Sequence, residues 1–346
     1  MKNLLQSALA RCNASRPPVW FMRQAGRYHS HYRQLRGRHS FEALCKQPAL
    51  ATEVTLGPIE DFDFDAAILF SDLLFPLEAL GMPLKYDPGP QLGWHVRRHD
   101  DLQRLVLNDA SVAALQFQGS AMRSIRERLP DSKGLLGFVG GPLTLFFYAA
   151  AGSHQGDLGV AHAGLADGRY AGFCEKLLPL LTQNILLQWR AGADCIAIFD
   201  TCAGELGAQA FGRWVVPQLT TVVDAVRREC PEARILYYSK GTDATHWRLL
   251  TDLKIDGIGV DWRTPLADVL HEFGAQWAVQ GNIDPHTLLL PEADFLRSAE
   301  HFLSAVAALP AERRRGWICG LGHGVLPATP ENHVRLFVDL QRELFT

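Results

Sequence analysis

The chain is organised around the stretch Val19-Trp20-Phe21-Met22-Arg23-Gln24-Ala25-Gly26-Arg27-Tyr28, in which a short apolar run leads directly into two arginines four positions apart. Arginine suits carboxylate binding because its planar guanidinium donates two parallel charge-assisted hydrogen bonds and stays charged at any working pH. The surrounding charge is one-sided, since positions 1–41 contain no aspartate or glutamate and seven arginines. We therefore expect this segment to face an anionic ligand.

A solvated basic face or a nucleic-acid-binding patch is the other interpretation of these arginines. Gly26 and the preceding apolar run favour a backbone held close to a ligand over a flexible charged tail. The whole chain of 346 residues carries a formal net charge of −3, so an anion would be recruited by a local field. Nucleic acid is not an expected partner.

The cysteine and hydropathy patterns predict the compartment. The seven cysteines are scattered, odd in number and form no CxxC pair, which indicates a reducing cytoplasm. The N-terminus is too short and too polar for a signal peptide, and no 18 apolar residues run together. We expect neither export nor a membrane span.

Short apolar runs alternate with longer segments of helical pattern along the whole chain. Eight runs are predicted as strands: Val19–Met22, Ala66–Phe70, Leu135–Val139, Cys195–Phe199, Ile235–Tyr238, Gly257–Val260, Trp277–Val279 and Trp317–Cys319. Helices are predicted near the N-terminus (Leu4, Leu5, Ala8, Leu9) and over Phe41–Phe62, Leu102–Leu129, Tyr170–Ala191, Ala208–Cys230, His246–Leu253, Leu266–Phe273 and Phe295–Leu309.

This alternation is typical of parallel strands with helical crossovers. Eight such units favour an α/β fold of the (β/α)8 TIM-barrel type over an open doubly wound sheet, and no GxGxxG fingerprint follows the first strand. No linker or repeat divides the chain, so residues 1–346 are expected to form one domain. Two long loops are predicted at 71–101 and 148–168, both at the carboxyl ends of strands, where such barrels build their sites.

Polar residues follow almost every predicted strand and would meet at one mouth of the barrel. Asp200, Asp261 and Asp284 could equally cap helices or fix loops. Asp72 differs, because it ends an apolar strand and precedes more apolar residues, surroundings in which an acid is costly unless a cation or hydrogen-bond donors meet it. His323 lies between two glycines and could donate hydrogen bonds or move protons near neutral pH, although a structural histidine is the alternative.

The sequence contains few motifs typical of metal-dependent, nucleophilic-serine or nucleotide-binding enzymes. Cys319 and His323 across the last strand end supply two metal ligands, short of a catalytic zinc set, and no HExxH or paired CxxC supplies the rest. A GxSxG nucleophile elbow and a Walker A loop are both absent. We therefore predict no metal.

The blocks at the strand ends together resemble the uroporphyrinogen decarboxylase family in order and over nearly the whole chain. The matching blocks are Pro18–Tyr28, Asp65–Asp72, Gly137–Thr144, Phe199–Thr201, Gln280–Pro285 and Gly320–Gly324. The resemblance implies a single-domain distorted TIM barrel, usually a homodimer, that converts uroporphyrinogen III to coproporphyrinogen III and CO2 in haem synthesis. It also implies that the reaction uses no metal or organic cofactor.

Carried over by position, Arg23, Arg27 and Arg36 match the family's substrate-carboxylate arginines, and Asp72 matches its central carboxylate facing the pyrrole N–H groups. Tyr148, Thr201 and His323 match further substrate contacts, and Ala25 would contribute backbone. Losing CO2 from an acetate requires protonation of the neighbouring ring carbon, so that the ring becomes an electron sink. A fixed Asp72 would stabilise the positive ring, while the proton donor is His323, Tyr148 or an ordered water.

Two segments depart from the family pattern. His29-Ser30-His31-Tyr32 stands where Leu-Pro-Glu-Tyr is usual, and residues 149–157 lack the usual Ser-Lys pattern. These departures admit a divergent paralogue acting on a related tetrapyrrole. The alternatives are a zinc-dependent barrel methyltransferase of the same superfamily and a tetrapyrrole-binding protein without activity.

Overall fold

A computed structural model describes residues 2–13, 16–153 and 155–345. His154, which belongs to the divergent segment after Tyr148, lies outside the described residues. These described residues form nine strands: β1 (Ala66–Ile68), β2 (Leu84–Tyr86), β3 (Pro90–Leu92), β4 (Gly134–Gly140), β5 (Cys195–Phe199), β6 (Ile235–Tyr238), β7 (Gly257–Gly259), β8 (Ala278–Ile283) and β9 (Trp317–Leu321).

Seven of these strands form one parallel sheet in the order β1-β4-β5-β6-β7-β8-β9, while β2 and β3 form a separate antiparallel hairpin. The seven strands correspond to seven of the eight predicted runs, and their parallel pairing confirms the expected alternation. Every residue of the seven strands is buried. Burial on both faces explains why these runs are continuously apolar.

The predicted strand at Val19–Met22 is wrong in extent, because only Val19 forms a β-bridge, to Cys319 of β9. The segment nevertheless contacts both outer strands of the sheet. The N–H of Cys319 donates to Pro18 O at 2.8 Å, and the N–H of Asp65, next to β1, donates to Val19 O at 2.9 Å. Arg23 ends the extended run by adopting a left-handed backbone with φ of 63°.

Sixteen α-helices lie within the described residues, with the bounds α1 Leu4–Leu9, α2 Ser30–Arg36, α3 Phe41–Lys46, α4 Pro48–Phe62, α5 Phe75–Ala79, α6 Asp109–Ala113, α7 Gln116–Arg128, α8 Pro142–Ala151, α9 Gly159–Ala166, α10 Arg169–Arg190, α11 Ala208–Trp214, α12 Val216–Glu229, α13 Ala244–Trp247, α14 Leu266–Phe273, α15 Glu292–Ala307 and α16 Glu331–Leu344. Not one of these helices combines the length and apolar character that crossing a membrane requires.

Several predicted helices are divided, and others, α2 and α16 among them, were not predicted. The helix predicted over Phe41–Phe62 breaks before Pro48, and that over Ala208–Cys230 breaks before Pro217. Proline lacks a backbone N–H and is best accommodated in the first turn, where each of these prolines lies in the helix that follows the break. Helix α16 was not predicted, although Val334, Phe337, Val338 and Gln341 bury one face at helical spacing.

The two predicted long loops are largely structured. Residues 71–101 contain α5, the hairpin of β2 and β3, and the start of a 3-10 helix at His99, while residues 148–168 contain the end of α8 and all of α9. Each insertion packs its own apolar side chains into the core, including Phe75, Leu77 and Leu165. These segments are therefore fixed walls beside the carboxyl ends of β1 and β4.

His29, the first residue of the divergent segment, is fully buried at the start of α2. Its Nε2 lies 2.7 Å from an Asp61 carboxylate oxygen. Burial lowers the pKa of His29 most strongly and His31 lowers it further, while Asp61 and Glu331 oppose these effects. The folded chain therefore favours the neutral imidazole.

This burial predicts a pH-dependent stability. As pH falls, the imidazole of His29 is protonated in the unfolded chain before it is protonated in the folded chain. The free energy of unfolding should therefore decrease below about pH 6.5, by less than roughly 1.4 kcal/mol per pH unit. Above about pH 6.5 His29 is neutral in both states, and its contribution to the free energy of unfolding is fully present. Urea unfolding of His29→Leu between pH 5 and 8 should give a shallower pH dependence, whereas His301→Leu, at an exposed position on α15, should follow the parent. Equal slopes for His29→Leu and the parent would contradict the assignment.

Candidate active site

The carboxyl ends of the parallel strands bring several predicted site residues to one edge of the sheet. Tyr148 on α8, Thr201 after β5 and His323 after β9 are each partly exposed between two buried neighbours. Because parallel strands end at a common edge, these three side chains open toward the same side of the sheet.

Asp72 follows β1 and is half-buried. The N–H of Leu74 donates to its Oδ1 at 2.8 Å. Burial raises the pKa of Asp72 above its ordinary value, while the Leu74 N–H, the Tyr86 hydroxyl and the Arg23 guanidinium act in the opposite direction. A carboxylate in this setting is held by few donors and keeps the capacity to accept more.

Arg23 lies near Asp72 and near two tyrosines that belong to other elements of the site. Its charge lowers the pKa of Asp72, Tyr148 and Tyr238, which places all three near the guanidinium. A Cβ at Gly324 would lie 2.5 Å from Arg23 Cδ, so this glycine is needed for the arginine to pass. Arg23 is exposed and forms no ion pair with a carboxylate among the described residues. Its donors are therefore available to an anion.

His323 stands between Gly322 and Gly324, as the sequence indicated, but both glycines make room for protein neighbours. A Cβ at Gly322 would lie 2.5 Å from the backbone nitrogen of Trp262. The His323 ring packs edge-on against Tyr238 at 6.2 Å, and the Tyr238 hydroxyl donates to Gly322 O at 2.8 Å. The turn that carries His323 is fixed at both ends.

Tyr148 is the tyrosine that the sequence predicted for the site. Burial, with Asp72 and Cys202 nearby, raises its pKa to about 12 in spite of Arg23. The ring is therefore protonated across the working pH range and offers a hydrogen-bond donor. Thr201 begins the 3-10 helix Thr201–Glu205, whose second residue, Cys202, donates its N–H to the Thr144 hydroxyl at 2.9 Å.

The model of the family described as Uroporphyrinogen decarboxylase (URO-D) matches residues 1–344. This chain belongs to the uroporphyrinogen decarboxylase family. Curated relatives named uroporphyrinogen decarboxylase include that of Trichlorobacter lovleyi, 36% identical over 95% of both chains, and that of Anaeromyxobacter sp., 38% identical over 94% of this chain and 93% of the relative. Uroporphyrinogen decarboxylase 1, chloroplastic, of Oryza sativa subsp. japonica is 33% identical over 99% of this chain and 84% of the relative.

Among solved structures, a methyltransferase from Methanosarcina mazei superposes with a TM-score of 0.80 and complete coverage of both chains, at 17% identity. At that identity the likeness concerns the fold alone. Cys319 is the buried central residue of β9, and its thiol lies near Asp65 and Arg16. The described residues hold no group of three His, Cys, Asp or Glu side chains suited to a metal ion. Because the family model and the curated relatives described above are uroporphyrinogen decarboxylases, the methyltransferase alternative is not favoured.

The remaining predicted arginines, Arg27 and Arg36, act on Tyr32 and are not among the groups that shift the pKa of Asp72. The charges of Arg27 and Arg36 both lower the pKa of Tyr32, and Arg36 donates to His39 O at 2.9 Å. Ala25 packs with Phe70 on a small apolar cluster around Tyr32. The cluster attaches the arginine turn to the end of β1.

The aspartates with an open assignment are engaged in structural contacts. Asp200 accepts the N–H and hydroxyl of Thr144 at 2.8 and 2.7 Å, and burial raises its pKa to about 6. Asp261 accepts the N–H of Gly241 at 2.6 Å, and Asp284 caps the 3-10 helix Pro285–Leu289. All three fix loops around the site.

Tyr86, Cys45 and Tyr238 were not predicted as site residues. Tyr86 and Cys45 lie near Asp72, and Tyr238 lies near Arg23 and His323. The signal for Tyr86 was weak, since the alternation of apolar Leu84, charged Lys85 and aromatic Tyr86 spans only three residues. Cys45 gave no such signal.

Proposed function

We propose that this chain decarboxylates the four acetate side chains of uroporphyrinogen III to give coproporphyrinogen III in tetrapyrrole biosynthesis. The observation that carries this assignment is the proximity of an exposed Arg23, whose charge lowers the pKa of Asp72, to that carboxylate in a chain of the uroporphyrinogen decarboxylase family. The substrate brings eight carboxylates, which suits an N-terminal segment whose first 41 residues contain no acid.

In the proposed reaction the pyrrole carbon beside the acetate is protonated first. The electrons of the breaking carbon–carboxylate bond then enter the cationic ring and CO2 leaves. Protonation of the exocyclic methylene and loss of the ring proton restore the pyrrole, so each acetate consumes one proton and yields a methyl group and CO2. The ring itself serves as electron sink, and no cofactor takes part.

Each side chain of the site has its own role in this proposed decarboxylation. Asp72 accepts the pyrrole N–H groups and stabilises the cationic ring, since a fixed charge of this kind costs no reorganisation during the reaction. Arg23, Arg27 and Arg36 bind substrate carboxylates, with Ala25 contributing backbone, and Thr201 adds a hydroxyl contact. A phenol with a pKa of about 12 suits Tyr148 to hydrogen bonding, which leaves His323 or an ordered water as the proton donor.

We infer that residues 1–346 form one (β/α)8 domain in which the segment around Val19 takes the place of the first strand. The hydrogen bonds from this segment to both β9 and the start of β1 support that inference. A cytoplasmic homodimer is proposed from the family pattern and from seven free thiols. Sedimentation equilibrium giving a monomer at micromolar concentration would refute the dimer.

Anaerobic incubation with uroporphyrinogen III tests the function. The products, oxidised to porphyrins and separated by chromatography, should lose carboxylates stepwise from eight to four with matching CO2 release. Tight binding without CO2 release would instead identify an inactive tetrapyrrole-binding protein. Release of fewer than four CO2 molecules would identify a paralogue with a related substrate.

A further inference from the structure

Tyr86 stands at the end of β2, in the hairpin inserted after β1. Its ring packs against Phe41 at 4.6 Å between ring centres and against Phe75 at 6.4 Å. Phe75 begins α5 three residues after Asp72, and Phe41 begins α3, which also carries Cys45. The aromatic contacts therefore fix Tyr86 against the two elements that enclose Asp72.

The Tyr86 hydroxyl is buried and has no hydrogen-bond partner at normal distance among the described residues. A buried hydroxyl without a partner is destabilising, so such a group points to a contact made in another state of the molecule. Asp72 is the carboxylate that faces it, and each group perturbs the pKa of the other. Burial, Asp72 and Cys45 raise the pKa of Tyr86, so the phenol keeps its proton.

We propose that Tyr86 is a positioning residue for Asp72: its O–H faces the carboxylate in the substrate-free chain, closes to a full hydrogen bond when substrate is bound, and holds the carboxylate toward the substrate ring. This inference rests on the proposed function. Because the Leu74 N–H already occupies one lone pair of Oδ1, a second donor would fix the plane of the carboxylate and leave the remaining lone pairs for pyrrole N–H groups.

The charge balance around Asp72 gives the proposal a measurable direction. Arg23, the Leu74 N–H and the Tyr86 hydroxyl favour the ionised form, burial opposes it, and Tyr148 and Cys45 also lie near. Removing one donor shifts the balance toward the protonated acid. Asp72 should then titrate at higher pH, and activity that needs the carboxylate should be lost at higher pH on acidification.

Tyr86→Phe removes the hydroxyl and keeps the aromatic contacts. The acidic limb of kcat/KM should move upward by roughly one pH unit, kcat at neutral pH should fall several-fold, and KM should change little. Tyr170→Phe is the matched control, because its hydroxyl is also buried without a partner while its ring packs on Phe146 and Phe173, away from Asp72. Its pH profile should equal that of the parent.

Carbon-13 titration of the Asp72 carboxyl in the substrate-free protein, assigned with Asp72→Asn, separates this inference from the proposed function. If the parent releases no CO2, the function fails, yet an upward shift of the midpoint in Tyr86→Phe still supports the pairing. An unchanged midpoint and an unchanged acidic limb overturn it. Should Tyr86→Phe fold poorly, difluorotyrosine at position 86 gives a stronger donor, and the midpoint should then move down.

Discussion

Replacing Asp72 with asparagine is expected to lower kcat for CO2 release by at least about 10³-fold, the scale at which one preorganised group stabilises a charged transition state. Asparagine keeps an oxygen that can accept the Leu74 N–H, so the local backbone should persist. Because the parent carboxylate is buried at some cost, the melting temperature should stay the same or rise.

Asp284→Asn is the matched control, since Asp284 also follows a strand but caps a 3-10 helix through its side chain. Asparagine caps a helix nearly as well as aspartate, so this variant should retain most activity. Single-turnover CO2 release and calorimetry measure both quantities. Decarboxylation near the parental rate in Asp72→Asn would refute the role of the carboxylate.

Removing the Arg23 side chain is the second large effect. Arg23→Ala should reduce kcat/KM by about 100-fold, because a bidentate charge-assisted contact to a carboxylate contributes roughly 1.5–3 kcal/mol. Arg23→Lys should recover only part of the loss, since lysine keeps the charge without the planar fork. Initial rates across a range of uroporphyrinogen III concentrations measure these values.

Two further variants separate position from charge. Gly324→Ala keeps Arg23 but places a methyl group 2.5 Å from the position of Arg23 Cδ, so the guanidinium must move. This variant should raise KM, by less than Arg23→Ala does. Arg38→Ala removes an exposed arginine of the same basic segment and should leave kinetics unchanged. If Arg38→Ala weakens binding as much as Arg23→Ala, the basic segment attracts the substrate through its overall positive charge, and the specific contact assigned to Arg23 is wrong.

Much of the site could be placed from residue order alone. Asp72, Thr201 and His323 follow apolar runs that became β1, β5 and β9, and parallel strands end at one edge. The extent of the first strand could not be predicted, because the left-handed backbone at Arg23 depends on neighbours far along the chain, among them Gly324. The structure of residues 71–101 was also missed, since three-residue strands carry little periodicity.

The sequence by itself determined the family, the parallel α/β alternation and the one-sided charge of the arginine segment, because these depend on residue type and order. Only the tertiary structure decided which arginine lies near Asp72, because the turn at Arg23 packs between Gly324 and the end of β1. It also brought the Tyr86 hydroxyl to Asp72 through contacts with Phe41 and Phe75. Proximity between distant segments follows from packing, and local sequence carries no record of it.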